Sequence, residues 1–341
     1  LLSYIFHSGF IMDQASIDIR TQVGQLGNQL RDKHPWLVTR QNALGGSVMV
    51  LALMLMAFAA YGYVQLNWPA WVTVILVAIA TSFIHELEHD LIHYAYFKKR
   101  PFIHNLMLLM CWLTRPGTVN PWIRRRLHLL HHKVSGTRKD IEERGITNGM
   151  RWSPLRLLML CDGTLAMIFR HKKNRQPKHF LYTLLKGFVA YLPVGILYFL
   201  SWYSYLAFHV SEFFELAVHW PLWFIEQVPM FDILAVTLLW PFFVRSFCLN
   251  FISSNMHYYG DIEEKNITQQ TQVWTSKWLW PLHLFCFNFG STHSIHHFVV
   301  KDPFYIRQAI AKDAHKIMKK HGVRFNDYST FKRANRYQLN K

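Results

Sequence analysis

The sequence predicts an all-α integral membrane protein, with four transmembrane helices arranged as two hairpins and a helical dome on the cytoplasmic side. Three observations lead there: long uncharged apolar runs, basic residues confined to one side of those runs, and three histidine clusters on that same side. Composition alone does not decide, because 341 residues at 51% hydrophobic content can also bury a large soluble core.

The run 44–66 contains no charged residue, and after the turn-forming Asn67-Trp68-Pro69 a second apolar run reaches Ile84. Segments 180–205 and 231–252 each offer about the ~20 residues that a bilayer core requires. Lys186 and Arg245 interrupt them, and Lys186 is expected to snorkel to a membrane face. Segment 102–113 is too short to cross and reads as re-entrant or interfacial. No Lys or Arg occurs in 41–97 or 187–244, so both hairpin tips, including 206–230 with Glu212, Glu215 and Glu226, are assigned outside. All 37 basic residues lie in 1–40, 98–186 and 245–341, which places those segments inside.

A net charge of +17 invites a nucleic-acid reading, but the basic residues flank apolar spans and no nucleic-acid signature accompanies them. Anionic lipid headgroups are the expected partner, and nucleic acid is not. Cys111, Cys161, Cys248 and Cys286 are scattered in apolar surroundings without a CxxC pair, so they read as reduced core residues. The apolar start, 1–11, lacks a basic n-region and a small-residue cleavage site, which argues against a secretory signal and leaves Met12 as a possible start.

The clusters are His85-Glu-Leu-Glu-His89, His128-Leu-Leu-His131-His132 and His293-Ser-Ile-His296-His297. Residues three and four apart share a helix face, so each cluster can aim its imidazoles at one point. Eight such ligands exceed what one tetrahedral zinc uses, which points to two metals. Imidazole suits iron, copper and zinc alike, so ligand type leaves the metal open. His93 continues the face of the first cluster. Glu86, Glu88, Asp90 and Asp140 are candidates to accept N–H bonds from the ligands. Lone histidines such as His7, His171, His209 and His219 read as surface or interfacial residues.

The pattern HxxxH, HxxHH, HxxHH over roughly 40–300 resembles the membrane fatty acid desaturase and hydroxylase superfamily. The resemblance implies four spans, a cytoplasmic dome and two non-haem iron ions with O2 as co-substrate. It implies a ninth ligand after the fourth span, matched by His257 in Asn255-Met-His257-Tyr-Tyr-Gly260. The implied metal ligands are therefore His85, His89, His128, His131, His132, His257, His293, His296 and His297. His93 is left a supporting or acid-base role. One departure stands out: Ser253 occupies the position four before His257 where the family often has Asn, so no water-mediated role carries over to Asn255.

On this reading the chain divides into an N-terminal interfacial segment, 1–40, with a helix ending near Pro35; a desaturase-like catalytic domain, 41–300; and a basic C-terminal surface helix and tail, 301–341. The last helix starts at Asp302-Pro303 and stops at Gly322. An interfacial amphipathic helix is expected around 155–169. Desaturation of a fatty acid or acyl thioester is the first expectation. Oxidative decarboxylation to a terminal alkene and hydroxylation are alternatives, because all three begin with hydrogen abstraction. The anionic head is expected to be held by surface Arg and Lys. No fused haem or flavin segment is evident, so a separate ferredoxin, rubredoxin or cytochrome donor is expected. A haem-binding or metal-transporting protein is the competing class, but haem pairs single histidines and transport places polar groups in the spans. A membrane zinc hydrolase needs only three ligands.

Overall fold

The computed structural model describes residues 13–146, 149–170, 177–263 and 265–339, and among them the regular structure is helical. The apolar start, Met12, His7 and His171 lie outside the described residues.

Helix α1 (Gln14–Lys33) begins where the Asp13 carboxylate accepts from Ser16 N at 2.9 Å. Helices α2 (Gln41–Gln65) and α3 (Ala70–Ile92) follow, packed side by side after the turn through Asn67, Trp68 and Pro69. The turn closes because Trp68 lies flat on Gly62, where an added Cβ would meet the ring at 2.4 Å. Both helices are long and apolar enough to cross a membrane. Helix α3 carries the first histidine cluster in its last turns, and there every residue from Ile84 to Ile92 is buried.

Helix α4 (Pro101–Leu113) has 13 residues, too few to span. Helix α5 (Pro121–Val134), capped by Asn120, carries the second cluster. Its exit requires Gly136, at φ +74°, where a Cβ would lie 2.7 Å from the Tyr258 carbonyl. Helix α6 (Ile141–Ile146) follows. The amphipathic stretch expected at 155–169 is two helices, α7 (Pro154–Cys161) and α8 (Gly163–Arg170). The break lies at Asp162, whose carboxylate accepts from Thr164 N and Leu165 N and so caps the second helix.

The third expected span departs from a single helix. Helix α9 (Pro177–Val189) ends in a turn, and α10 (Val194–Phe213) begins after Pro193, which cannot donate to a continuous ladder. The stretch Leu222–Met256 is long and apolar enough to cross; it passes through a π turn at Ala235–Leu239 into α11 (Trp240–Met256). Three described helical stretches thus have the length and composition of spans, rather than four. Arg245, read as an interruption, is buried in this third stretch.

Helix α12 (Phe289–Phe298) carries the third cluster, and α13 (Phe304–Lys320) ends before Gly322 at φ +85°. Helix α13 packs one face inward and leaves its lysine face exposed. Ile310, Ala314 and Met318 join Ile19 and Val23 of α1 and Ile295 and Phe298 of α12 in one buried cluster. Arg31 of α1 pairs with Asp302 at 2.5 Å beside it.

Candidate metal centre

Helices α3, α5 and α12 and the end of α11 bring nine histidines into two groups. His89, His93, His128, His132 and His296 form the first, and His131, His257, His293 and His297 the second; within each group the nearest ligand atoms all lie within 4.8 Å of one another. His128 and His132 stand one turn apart on α5 and face the first group. His131, displaced around the same helix, faces the second, so one HxxHH motif serves both. His296 and His297 divide in the same way on α12.

His93 belongs to the first group, with Nε2 3.1 Å from that of His296. His85 stands outside both groups. It lies one turn deeper in α3, where Arg124 Nη2 donates to its Nε2 at 3.1 Å. The first cluster contains two overlapping HxxxH pairs, 85/89 and 89/93, and the fold brings the second pair to the other histidines.

The imidazoles fit metal ions. Outward contacts turn several Nδ1 atoms to fixed acceptors: His128 to Glu142 at 2.9 Å, His131 to Asp140 at 2.8 Å, His257 to the Ser253 carbonyl at 2.8 Å and His297 to Gln270 Oε1 at 3.1 Å. With the proton on Nδ1, the Nε2 lone pairs point inward at one another. The Nε2 separations for 128/132, 132/296 and 293/297 are 3.1, 2.9 and 3.3 Å. Lone pairs so placed repel unless a cation lies between them. About 3 Å is also the spacing of neighbouring nitrogens around one ion with bonds of roughly 2.1 Å. His89 Nε2 and His257 Nε2 are buried without a protein partner. Burial, with help from neighbouring His128 for His93 and His131 for His257, holds His93 and His257 down at about 3 and about 4, so both imidazoles are neutral at pH 7, the form that can bind a metal. Burial also opposes a cation on His131, but the Asp140 carboxylate overrides it and draws the group up to about 9. A metal there would displace the Nε2 proton and keep the Nδ1–H···Asp140 bond.

Of the expected carboxylate acceptors, Asp140 accepts from a histidine of the two groups, His131. Glu86 and Asp90 stand 3.7 and 4.0 Å from the imidazoles of His85 and His89 and turn instead to Arg307. Glu88 is held by Arg115 and by Arg124. Glu142 and Gln270 were not singled out in the sequence; Glu142 lies fourteen residues from its histidine, and a glutamine in a loop carries no signal of its own. Asn255 Oδ1 accepts from Arg156 at 3.2 Å and its amide donates to the Phe251 carbonyl, so both ends are engaged away from the histidines.

A cavity of ≈350 Å³ opens against the centre, reaching His89, His128, His131, His257 and His293, with apolar walls from residues such as Leu127, Met159, Met167, Phe199 and Phe242. No curated protein sequence matches the chain. The sequence model of the family described as Fatty acid desaturase matches residues 66–329, which include all nine grouped histidines and three quarters of the chain. With the histidine groups, the membrane-length helices and that match in agreement, the chain belongs to the fatty acid desaturase family.

Proposed function

We propose that the protein is a membrane non-haem diiron oxidase that uses O2 to abstract hydrogen from a fatty acyl chain, with fatty acid desaturation as its first reading. The observation that carries this is the pair of imidazole groups, five and four strong and buried except for the half-buried His93 and His132, opening on a cavity with a largely apolar wall. Family membership supports an oxidoreductase that acts on lipid at the bilayer. Two iron ions, when bound, supply the shared electrons needed to split O2 and attack an unactivated methylene.

The chain's own residues do the rest. His89, His93, His128, His132 and His296 would hold one ion, and His131, His257, His293 and His297 the other. Asp140, Glu142, Gln270 and the Ser253 carbonyl fix the imidazole rings. The cavity walls orient the acyl chain and exclude water. Electrons come from a separate ferredoxin, rubredoxin or cytochrome donor. The four-span topology with the histidines on the cytoplasmic side belongs to the same proposal, with α9 and α10 together making the third crossing.

Oxidative decarboxylation of a free fatty acid to a terminal alkene is the second reading, favoured by buried arginines in the cavity wall. Mass spectrometry after incubation with fatty acids, acyl thioesters and alkanes, with O2 and reductant, tests the proposal. An internal double bond with the carboxyl retained supports desaturation. An alkene one carbon shorter supports decarboxylation, and oxygen incorporated from O2 supports hydroxylation. No oxygen-dependent product from any of the three contradicts the acyl-chain reading.

A further inference from the structure

We infer that Arg245 and Arg115 form a carboxylate subsite inside the cavity, so that the substrate is a free fatty acid entering with its charged end inward. The observation is an excess of buried cation with idle donors. Arg115 and Arg245 are 0% and 2% exposed, and both line the cavity beside the metal centre. Among the described residues, Arg245 makes one polar contact, donating from Nη2 to Ser246 Oγ at 3.0 Å, and its guanidinium otherwise lies 5.5 Å from the Phe242 ring centre. Its Nε and Nη1 have no partner, and neither do those of Arg115, whose Nη2 is held by Glu88. A guanidinium is always charged and carries five donors, so idle buried donors of this kind call for an anion.

The carboxylates nearby do not meet that demand. Glu88 serves Arg115 and Arg124 together, and Glu142, 4.0 Å from Arg124, is bonded to His128. The guanidinium groups of Arg115, Arg124 and Arg245 lie within electrostatic reach of one another, and among the described residues Glu88 contacts the first two while no carboxylate is paired with Arg245. A single anion in the cavity would answer it. Met167 and Phe199 of the same wall take apolar chain, so one unbranched molecule with a carboxylate head matches both features. The contacts that run from Arg115 through Glu88 and Arg124 to His85 keep the subsite close to the histidines. The carbons nearest the carboxyl group are then the ones presented to the metal centre. A surface-held head group would present the middle of the chain instead.

This rests on the acyl-chain reading but is tested by binding, which needs no turnover. Radiolabelled dodecanoate is bound to the purified, iron-loaded full chain in detergent, with dodecanol, methyl dodecanoate and dodecyl phosphate as competitors. Dodecanoate is expected to bind most tightly. Arg245→Gln is expected to weaken it by roughly tenfold or more, with Arg245→Lys intermediate, methyl dodecanoate unchanged and iron content retained. Equal binding of acid and methyl ester to the wild type would overturn the inference without any variant. So would tighter binding of dodecyl phosphate, which assigns the site to a phosphate head, or undiminished dodecanoate binding by Arg245→Gln. Failure of the oxidase reading shows itself separately, as absent oxygen-dependent product from a chain that still binds dodecanoate.

Discussion

His89 belongs to two overlapping HxxxH pairs, and the choice between them is a question of where α3 ends. Counted from the membrane side, 85/89 comes first and matches the family pattern as well as 89/93 does. The structure places His93 at the C-cap of α3, 3.1 Å from His296, and leaves His85 to Arg124. His93→Ala should therefore lower bound iron more than His85→Ala does, as read by metal analysis of the purified variants; the reverse order would restore the 85/89 pair. The same scale holds the orienting carboxylates. Asp140 is fully buried and accepts from His131 as well as from the backbone N–H groups of Gly136 and Glu143. Asp140→Asn should weaken iron affinity about 10–100-fold, measured by competition with a chelator, because the amide loses the negative charge and keeps one oxygen for donors that two carboxylate oxygens now serve. Unchanged affinity would remove Asp140 from the account.

Elements far apart in sequence meet behind the first cluster. Arg307 of α13 donates to Glu86 at 3.2 Å and Asp90 at 2.9 Å on α3, all three buried, while Asp90 also accepts from Tyr96 OH and Phe304 N. Removing the cation leaves two carboxylates without their partner. Arg307→Met should cost on the order of 3–5 kcal/mol and lower the unfolding temperature in detergent; an unchanged midpoint would mean that the contact contributes little. What the sequence disclosed at this scale follows periodicity and local signals. The two first spans, the HxxHH faces, the short α4 and the stop at Gly322 are all local. The pairing of Arg307 with residues more than two hundred positions earlier is not local, and neither is the seating of α13 on α1, so the partners of the helix's inner face are not legible in the sequence. The break at Pro193 is local, but an apolar run on both sides of it masked the interruption.

At the scale of the whole molecule, His89, His93 and His257 stand at the ends of two membrane-length helices, and the other six grouped histidines stand on the shorter α5 and α12 packed against them. Two predictions belong to this scale. In a cysteine-free background, a cysteine at position 215 should react with an impermeant reagent from outside intact cells, and one at position 130 should not; labelling at 130 would overturn the proposed sidedness. A net charge of +17 should also steer an acidic donor protein, so turnover with that donor should fall as salt shortens the Debye length below about 8–10 Å. Indifference to salt would point to a donor inside the membrane. Above all, the two imidazole groups are proposed to hold two irons. Metal analysis of the purified chain, with an optical spectrum of the same sample, tests it most directly. Two irons per chain and no Soret band are expected; a single zinc, or a haem spectrum, would show that the groups do not form a diiron site.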